Sequence, residues 1–308
     1  MITKPLIGLH GQASSLYPEE EFVTEWNLPS GNFTFPTQNV AGTWDGEINF
    51  SDGGGWKTVT AYNDANLTNN YASGGTYQIR IRGDFLTMYL NNSASIKTYL
   101  TKIIQWGTVG FNIMARMFYG ASNLTEIPSG RITIDDASLI TNCQYMFANC
   151  GITSYPDELL YNLTNLNNAS FMFQNGLFTS LSNNFLSQNV NITTLERIFY
   201  LSNLQNFVSI DNNTLVTSLF GMYWSADLQG NIPAGYIDNN DQVTNLGYML
   251  LQQSGLTGTS GEFWLNPSGA ANYTLTGPDY DSGIPSGLNC YFNCSGLSDY
   301  GSIPTYWK

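Results

Sequence analysis

Nucleophilic or hydrolytic chemistry in this chain would have to come from histidine, cysteine or paired carboxylates, and the sequence is poor in all three. A Ser–His–Asp or Cys–His arrangement needs an imidazole base. The one histidine, His10, stands in MITKPLIGLHGQASS, a segment without periodicity that reads as an arm. Glycoside hydrolysis needs two carboxyl groups flanking one sugar bond. The available clusters are Asp135/Asp136, Asp157/Glu158 and Asp279/Asp281. Adjacent residues on a strand point to opposite faces, so the first two pairs suit that task badly and read as solvated turn residues. Cys143, Cys150, Cys290 and Cys294 form two local pairs. Zinc would want C-x-x-C pairs or histidines, so small buried repeat residues are expected, with a disulfide inside either pair left open. Oxygen ligands at Asp52, Asp238–Asp241 or Asp279–Asp281 leave calcium as a cofactor on donor chemistry alone, without EF-hand spacing. H-E-x-x-H, phosphate-loop and dinucleotide motifs are absent from the sequence. The expectation is a non-enzymatic protein with no catalytic residues and no metal ligands.

Composition narrows the partners. Ten Lys and Arg against 23 Asp and Glu give a net charge of −13, which cannot release counterions from a phosphate backbone, so nucleic acid is excluded as a partner. No uncharged apolar run approaches the roughly 18 residues that span a bilayer, so no membrane insertion is expected. The broken N-terminal apolar patch is too short for a signal peptide, and the first cysteine is Cys143, far from a lipidation site. On that ground the ordinary secretion route is not expected in this chain. Only 11% of residues are charged, so solubility rests on Asn, Ser, Thr, Gly and Tyr, while 14% aromatic residues argue against disorder.

The elements that must position any site follow from two periodicities. Residues 1–21 read as an N-terminal arm or linker. From Phe22, the segments 22–26, 32–36, 46–50, 57–62, 76–83 and 84–90 alternate apolar and polar residues between Gly-, Asn- and Asp-rich turns, predicting a β-sandwich over 22–108. In TYQIRIRG, Tyr77, Ile79 and Ile81 face one way and Gln78, Arg80 and Arg82 the other. Residues 109–308 carry a second pattern, first seen in RMFYGASNLTEIP and repeated in altered form, anchored on Phe118, Phe147, Phe173, Phe199, Tyr223, Leu250 and Phe292. Self-similarity at this period predicts an irregular leucine-rich solenoid of about seven units. Each unit should place an apolar–aromatic pair in a helical turn and a second apolar pair, such as Leu124 and Ile127, in a following strand. An insertion near 261–285 interrupts the series, and Tyr306 and Trp307 are expected to cap its end.

Two resemblances rest on these residues. INFSDGGG…VTAYND…NNYASGGTYQIRIRGDF resembles a PKD-type, immunoglobulin-like β-sandwich. Tyr71, Gly75 and Tyr77 match its Y-x-x-x-G-x-Y strand, whereas Phe50-Ser51-Asp52-Gly53 departs from its W-G-D-G turn. The order FVTEW, sandwich, IIQWG, MFYGASNLTEIP is similar to bacterial surface proteins with BspA-type leucine-rich repeats. That resemblance implies surface attachment.

What is left to function is a surface. On the expected strands the residues preceding the second anchor point outward, namely Glu126, Ser154, Ser180, Asn206 and Asp299, a polar face suited to glycan or protein. Trp264, Tyr273 and Tyr280 mark a contact loop in the insertion. The reading is a surface adhesion or decoration protein on the virion of a bacteriophage, a capsid-decoration or tail-fibre component. It would hold host-surface or mucosal glycan or protein, and dock to other virion proteins through the N-terminal arm, with self-association left open. The alternatives are a secreted BspA-like adhesin at the cell surface and a carboxylate-dependent glycan hydrolase.

Overall fold

Backbone pairing is sorted by position along the chain. The computed structural model describes residues 17–91, 95–263 and 287–308, and within them the protein is mainly β, with helix confined to single 3-10 turns. Seven strands occupy the first third: β1 (Phe22–Leu28), β2 (Gly31–Thr34), β3 (Asp45–Asn49), β4 (Trp56–Val59), β5 (Thr68–Tyr71), β6 (Gly75–Asp84) and β7 (Leu100–Gln105). An antiparallel sheet runs in the order β4-β3-β6-β1-β7, and β2 pairs with β5. The alternation in β6 is as expected: Ile79 and Ile81 are buried, and Gln78, Arg80 and Arg82 are half-buried on the other face. Their cross-strand partners Thr24 and Phe22 share the inner face. Trp26 carries the larger sheet onto the smaller, with ring centroids 5.1 Å from Phe33 and 6.1 Å from Phe35. Its indole N–H donates to Thr24 Oγ1 at 2.8 Å, and that hydroxyl donates to the Ile79 carbonyl, so the buried polar atoms are satisfied.

Two strand expectations change. β5 lies in TNNY, whose polar residues read as a turn; it pairs because every one of its residues finds a register partner in β2. The strand expected over 84–90 is irregular. Phe85, Leu86, Thr87, Met88 and Leu90 are buried, but Tyr89 N–H donates to Pro36 O, while Leu86 O accepts from Asn112 N–H. A strand needs one neighbour along its length, and this segment changes neighbours.

Beyond β7 the strands expected after each helical turn are also largely missing. Among the described residues only β8 (Gly230–Asn231) and β9 (Leu256–Thr257) form, two residues each and parallel. Of the isolated parallel bridges, Lys102↔Glu126 falls after the first apolar–aromatic pair, as expected, whereas the other four, Asn142↔Asn168↔Thr194↔Ser218↔Asn245, lie just before the pairs. The reason is where the amide protons go. Left-handed residues recur four apart in each unit, as at Tyr145 and Asn149, Phe171 and Asn175, Arg197 and Leu201. This backbone aims alternate N–H groups at the next unit: Phe147 to Met172 O, Phe173 to Ile198 O and Phe199 to Met222 O, each 3.0 Å. The N–H groups between them close local turns, as Met172 does onto Ala169 O. A unit alone would leave half its turn donors unpaired and bear a left-handed cost of about 1–2 kcal/mol per non-glycine residue, so each requires its neighbour.

Side chains repeat the same dependence. The rings of Phe118, Phe147, Phe173, Phe199 and Tyr223 form one buried stacked column, 5.4 to 6.0 Å between successive centroids and within 20° of parallel. Leu250 continues it, and the last member is Tyr291, fully buried, in place of the expected Phe292, which is 43% exposed. Buried Asn189, Asn213 and Asn240 each donate Nδ2 to two carbonyls of the preceding unit. All four cysteines are buried and free, so neither local pair is a disulfide. Trp307 closes the end as expected, its carbonyl accepting from Tyr291 N–H. At the other end Trp106 lies 6.2 Å from Phe22, 6.0 Å from Phe118 and 6.5 Å from Phe147, so sheet and turn region share one hydrophobic core. Gly107 permits that junction: its φ is +65°, and a Cβ there would lie 2.2 Å from the Glu21 carbonyl carbon.

Candidate functional site

The five residues expected to line an outer sheet face do not form one. Glu126 is 63% exposed and pairs with Lys102 at 3.1 Å, a hydrogen bond that raises the lysine pKa. Ser154 and Ser180 are exposed. Asn206 is a clamp between units: Nδ2 donates to Leu181 O and Phe207 O, and Oδ1 accepts from Leu181 N–H. Asp299 accepts from the backbone N–H and the hydroxyl of Ser260, fastening segments 39 residues apart. Those two side chains hold the fold. Among the described residues no hydrogen bond or ion pair joins any two of the five. The contact-loop residues Trp264, Tyr273 and Tyr280, and with them Asp279, Asp281 and His10, lie outside the described residues. Of the remaining acidic clusters, Asp136 caps a 3-10 turn through Ser138, and Glu158 faces Arg131 at 3.9 Å. At Asp52 the Gly54 N–H holds the carboxylate pKa below its ordinary value.

A different surface emerges from the backbone itself. The first residue of each turn unit is left-handed, which turns its side chain away from the core that the next two residues enter. In successive units that residue is Arg116, Tyr145, Phe171, Arg197, Gly221, Tyr248 and Asn289, and all but the glycine are half-buried. Tyr145 stacks on Phe171 with centroids 4.5 Å apart and 15° between planes. Trp224 stacks on Tyr248 at 5.3 Å and 22°, and lies 5.0 Å from Tyr200. Between these two aromatic pairs sits Arg197, its guanidinium 4.8 Å from the Phe220 ring and 5.4 Å from both Phe171 and Trp224. Arg116 lies 5.2 Å from Tyr145, and Lys97 5.4 Å from Tyr119. Contacts of these kinds each contribute about 0.5–1.5 kcal/mol, and here they run unbroken along the turn region.

The charges on this stripe lack the acidic partners that most cations of the sheet have. Arg80, Arg82, Lys102 and Arg131 each have a carboxylate within 4 Å. Among the described residues Lys97, Arg116 and Arg197 have none; Lys57 and Lys308, over Phe50 and Tyr300, also lack one but stand singly. Arg116 instead donates to the Tyr89 hydroxyl at 3.4 Å, and the buried Nε of Arg197 has no hydrogen-bond partner. Neighbouring Glu196 turns to Ser218 Oγ at 2.7 Å. At one end of the stripe Asn91, Arg116, Tyr119, Tyr145 and Gln174 line a shallow cleft of about 290 Å³. A row of stacked rings with amide and guanidinium donors beside it can pack its ring edges against the apolar face of a sugar while the donors bond its hydroxyls.

The signal for this stripe was present in the repeats RMFY, YMF, FMF and RIFY, where an aromatic or arginine precedes the apolar pair. It is invisible without the left-handed backbone, because three large residues in a row read as one buried block. No group of three or more His, Cys, Asp or Glu positioned to hold a metal occurs among the described residues, and none of their helices is long and apolar enough to cross a membrane. No protein-family model matches the chain, and no curated protein matches it at a significant level.

Proposed function

We propose that this is a non-enzymatic surface adhesion or decoration protein whose turn-face stripe binds glycan. The architecture we assign is a PKD-like β-sandwich followed by an irregular leucine-rich solenoid of the BspA type. In such a solenoid each unit presents one outward side chain per step, which suits an extended ligand. One observation carries the reading: half-buried Tyr145, Phe171, Arg197 and Tyr248 occupy the same left-handed position of their turn units, and Trp224, from the unit that Gly221 heads, stacks on Tyr248 and continues the row. The virion-surface assignment extends this reading. It rests on the weakly charged surface rich in Asn, Ser, Thr, Gly and Tyr, and on the order of sandwich and repeats.

Affinity electrophoresis through gels containing capsular or mucin polysaccharides tests the binding. Wild-type protein is retarded in at least one gel without shortening the polysaccharide, and Tyr145→Ala/Trp224→Ala loses most of that retardation while unfolding near the wild-type temperature. Cleavage of the polysaccharide would replace this reading with a hydrolase, and unchanged retardation of the double variant would move the site elsewhere. Gold-labelled antibody on intact particles and cells tests the location, with label on particles expected and label on a bacterial envelope overturning it.

A further inference from the structure

We infer that the ligand of the stripe is an anionic polysaccharide, a linear chain carrying carboxylate or sulfate groups along its length. This deepens the glycan reading above and rests on it. The chain bears a net charge of −13; Arg80, Arg82, Lys102 and Arg131 are matched to carboxylates, and Lys57 and Lys308 are single cations bonded to an amide and to carbonyls. Three cations free of carboxylates are nevertheless gathered on one aromatic stripe, at Lys97, Arg116 and Arg197. Screening over roughly 8 Å at physiological ionic strength means that a ligand feels these local charges and not the molecular total. Arg116 and Arg197 stand three units apart, with the stacked Tyr145 and Phe171 between them. The underlying ring column advances 5.4 to 6.0 Å per unit. A sugar chain lying across the edges of the two stacked rings would thus bring acidic groups to a guanidinium at either end. Guanidinium recognises carboxylate and sulfate through paired, charge-assisted hydrogen bonds. Glu196, the carboxylate nearest in sequence, is turned to Ser218 and leaves Arg197 unneutralised.

The test compares retention by immobilised polygalacturonate, chondroitin sulfate, neutral dextran and oligothymidylate, at rising sodium chloride, for the whole chain. Binding to at least one acidic polysaccharide is expected to exceed binding to dextran and oligothymidylate. It should fall steeply with salt and weaken by ~tenfold or more in Arg116→Gln/Arg197→Gln. Arg197 is wedged among three rings, so Lys97→Gln/Arg116→Gln is measured beside it as the variant least exposed to misfolding, with thermal unfolding as the control. Equal retention by dextran, or salt-insensitive retention, overturns the acidic ligand and leaves the glycan reading standing. Retention by none of the saccharides sinks both. Oligothymidylate binding as strong as the best saccharide would reassign the stripe to single-stranded nucleic acid, and undiminished binding by both variants would remove it from the stripe.

Discussion

The sheet region and the turn region solve the same problem, pairing every buried backbone group, by opposite means. In the sheet, β1 pairs with β6 and β7, so partners lie some 50 to 80 residues apart in the chain. In the turn region, donors and acceptors sit one unit away. Their polar chemistry differs accordingly. The sheet face carries ion pairs, among them the bidentate Arg80–Glu21 pair at 2.6 Å, with Glu21 almost wholly buried. The turn region buries neutral groups instead: cysteine thiols, tyrosine hydroxyls and asparagine amides. Each interior is therefore vulnerable to a different perturbation.

The largest expected effect separates the two by pH. Burial raises the pKa values of Cys143, Cys150, Cys290 and of Tyr155, Tyr223, Tyr236 and Tyr291, and pushes Cys294 up to about 12. An acid whose folded pKa is raised keeps its proton longer in the folded state. Its stabilisation is intact below the unfolded values of 9.0 for Cys and 10.0 for Tyr, and is lost as pH climbs towards the folded ones. Each such group removes up to about 1.4 kcal/mol per pH unit in that window. The turn region should therefore open first between pH 9 and 12, read as proteolytic cleavage mapped beyond residue 109. Among the described residues the sheet region has one such group, Tyr71, whose pKa burial also raises, against eight in the turn region, and it carries the opposite sign at its turns. The Thr60 and Asn66 N–H groups depress the Asp64 pKa, and Gly54 N–H depresses that of Asp52, so their contribution holds above the ordinary value of 3.8 and fades as pH falls below it. Acid should expose residues 51–68 first, and the reverse order at either extreme would break the comparison.

Three substitutions sharpen it. Phe173→Ala empties the middle of the ring column, where Phe147 and Phe199 stack on either side and Phe185 lies 5.6 Å away, and should cost about 3–5 kcal/mol in denaturant unfolding. Asn213→Ala strips the side-chain donor from the buried carbonyls of Leu186 and Asn189, for about 2 kcal/mol. A loss near zero would mean that the asparagine ladder is not structural. The smallest effect has the other sign. Leu201 is 42% exposed with φ +57°, so Leu201→Gly relieves left-handed strain with little packing to lose and should stabilise by about 0.5–1 kcal/mol. Destabilisation there would show that the leucine side chain, and not the backbone, matters at the end of the turn.

Much of the scaffold was legible. Period-two alternation placed β1, β3, β4 and β6 to within a few residues, and the repeat found the buried ring column from Phe118 to Leu250. It slipped by one residue at Tyr291, where the aromatic pair Tyr-Phe offers two anchors and only the register of Leu250 N–H onto Cys290 O chooses between them. The candidate site was not legible in the same way. Glu126, Ser154, Ser180, Asn206 and Asp299 share a face only on extended strands, and Asn206 and Asp299 are drawn inward by carbonyl and amide partners in segments remote in sequence.

The sequence by itself determined that the chain builds a mainly β scaffold with two periodicities, because burial of apolar side chains follows spacing and needs no knowledge of the partner. It also settled which residues plug the core, Met117 and Phe118 among them. Only the tertiary structure decided which large residues stay outside. Arg116, Tyr145, Phe171, Arg197 and Tyr248 precede core residues directly, and a left-handed φ, held by hydrogen bonds to the neighbouring unit, turns them to the surface. That direction is a property of two units together, and no single stretch of residues contains it.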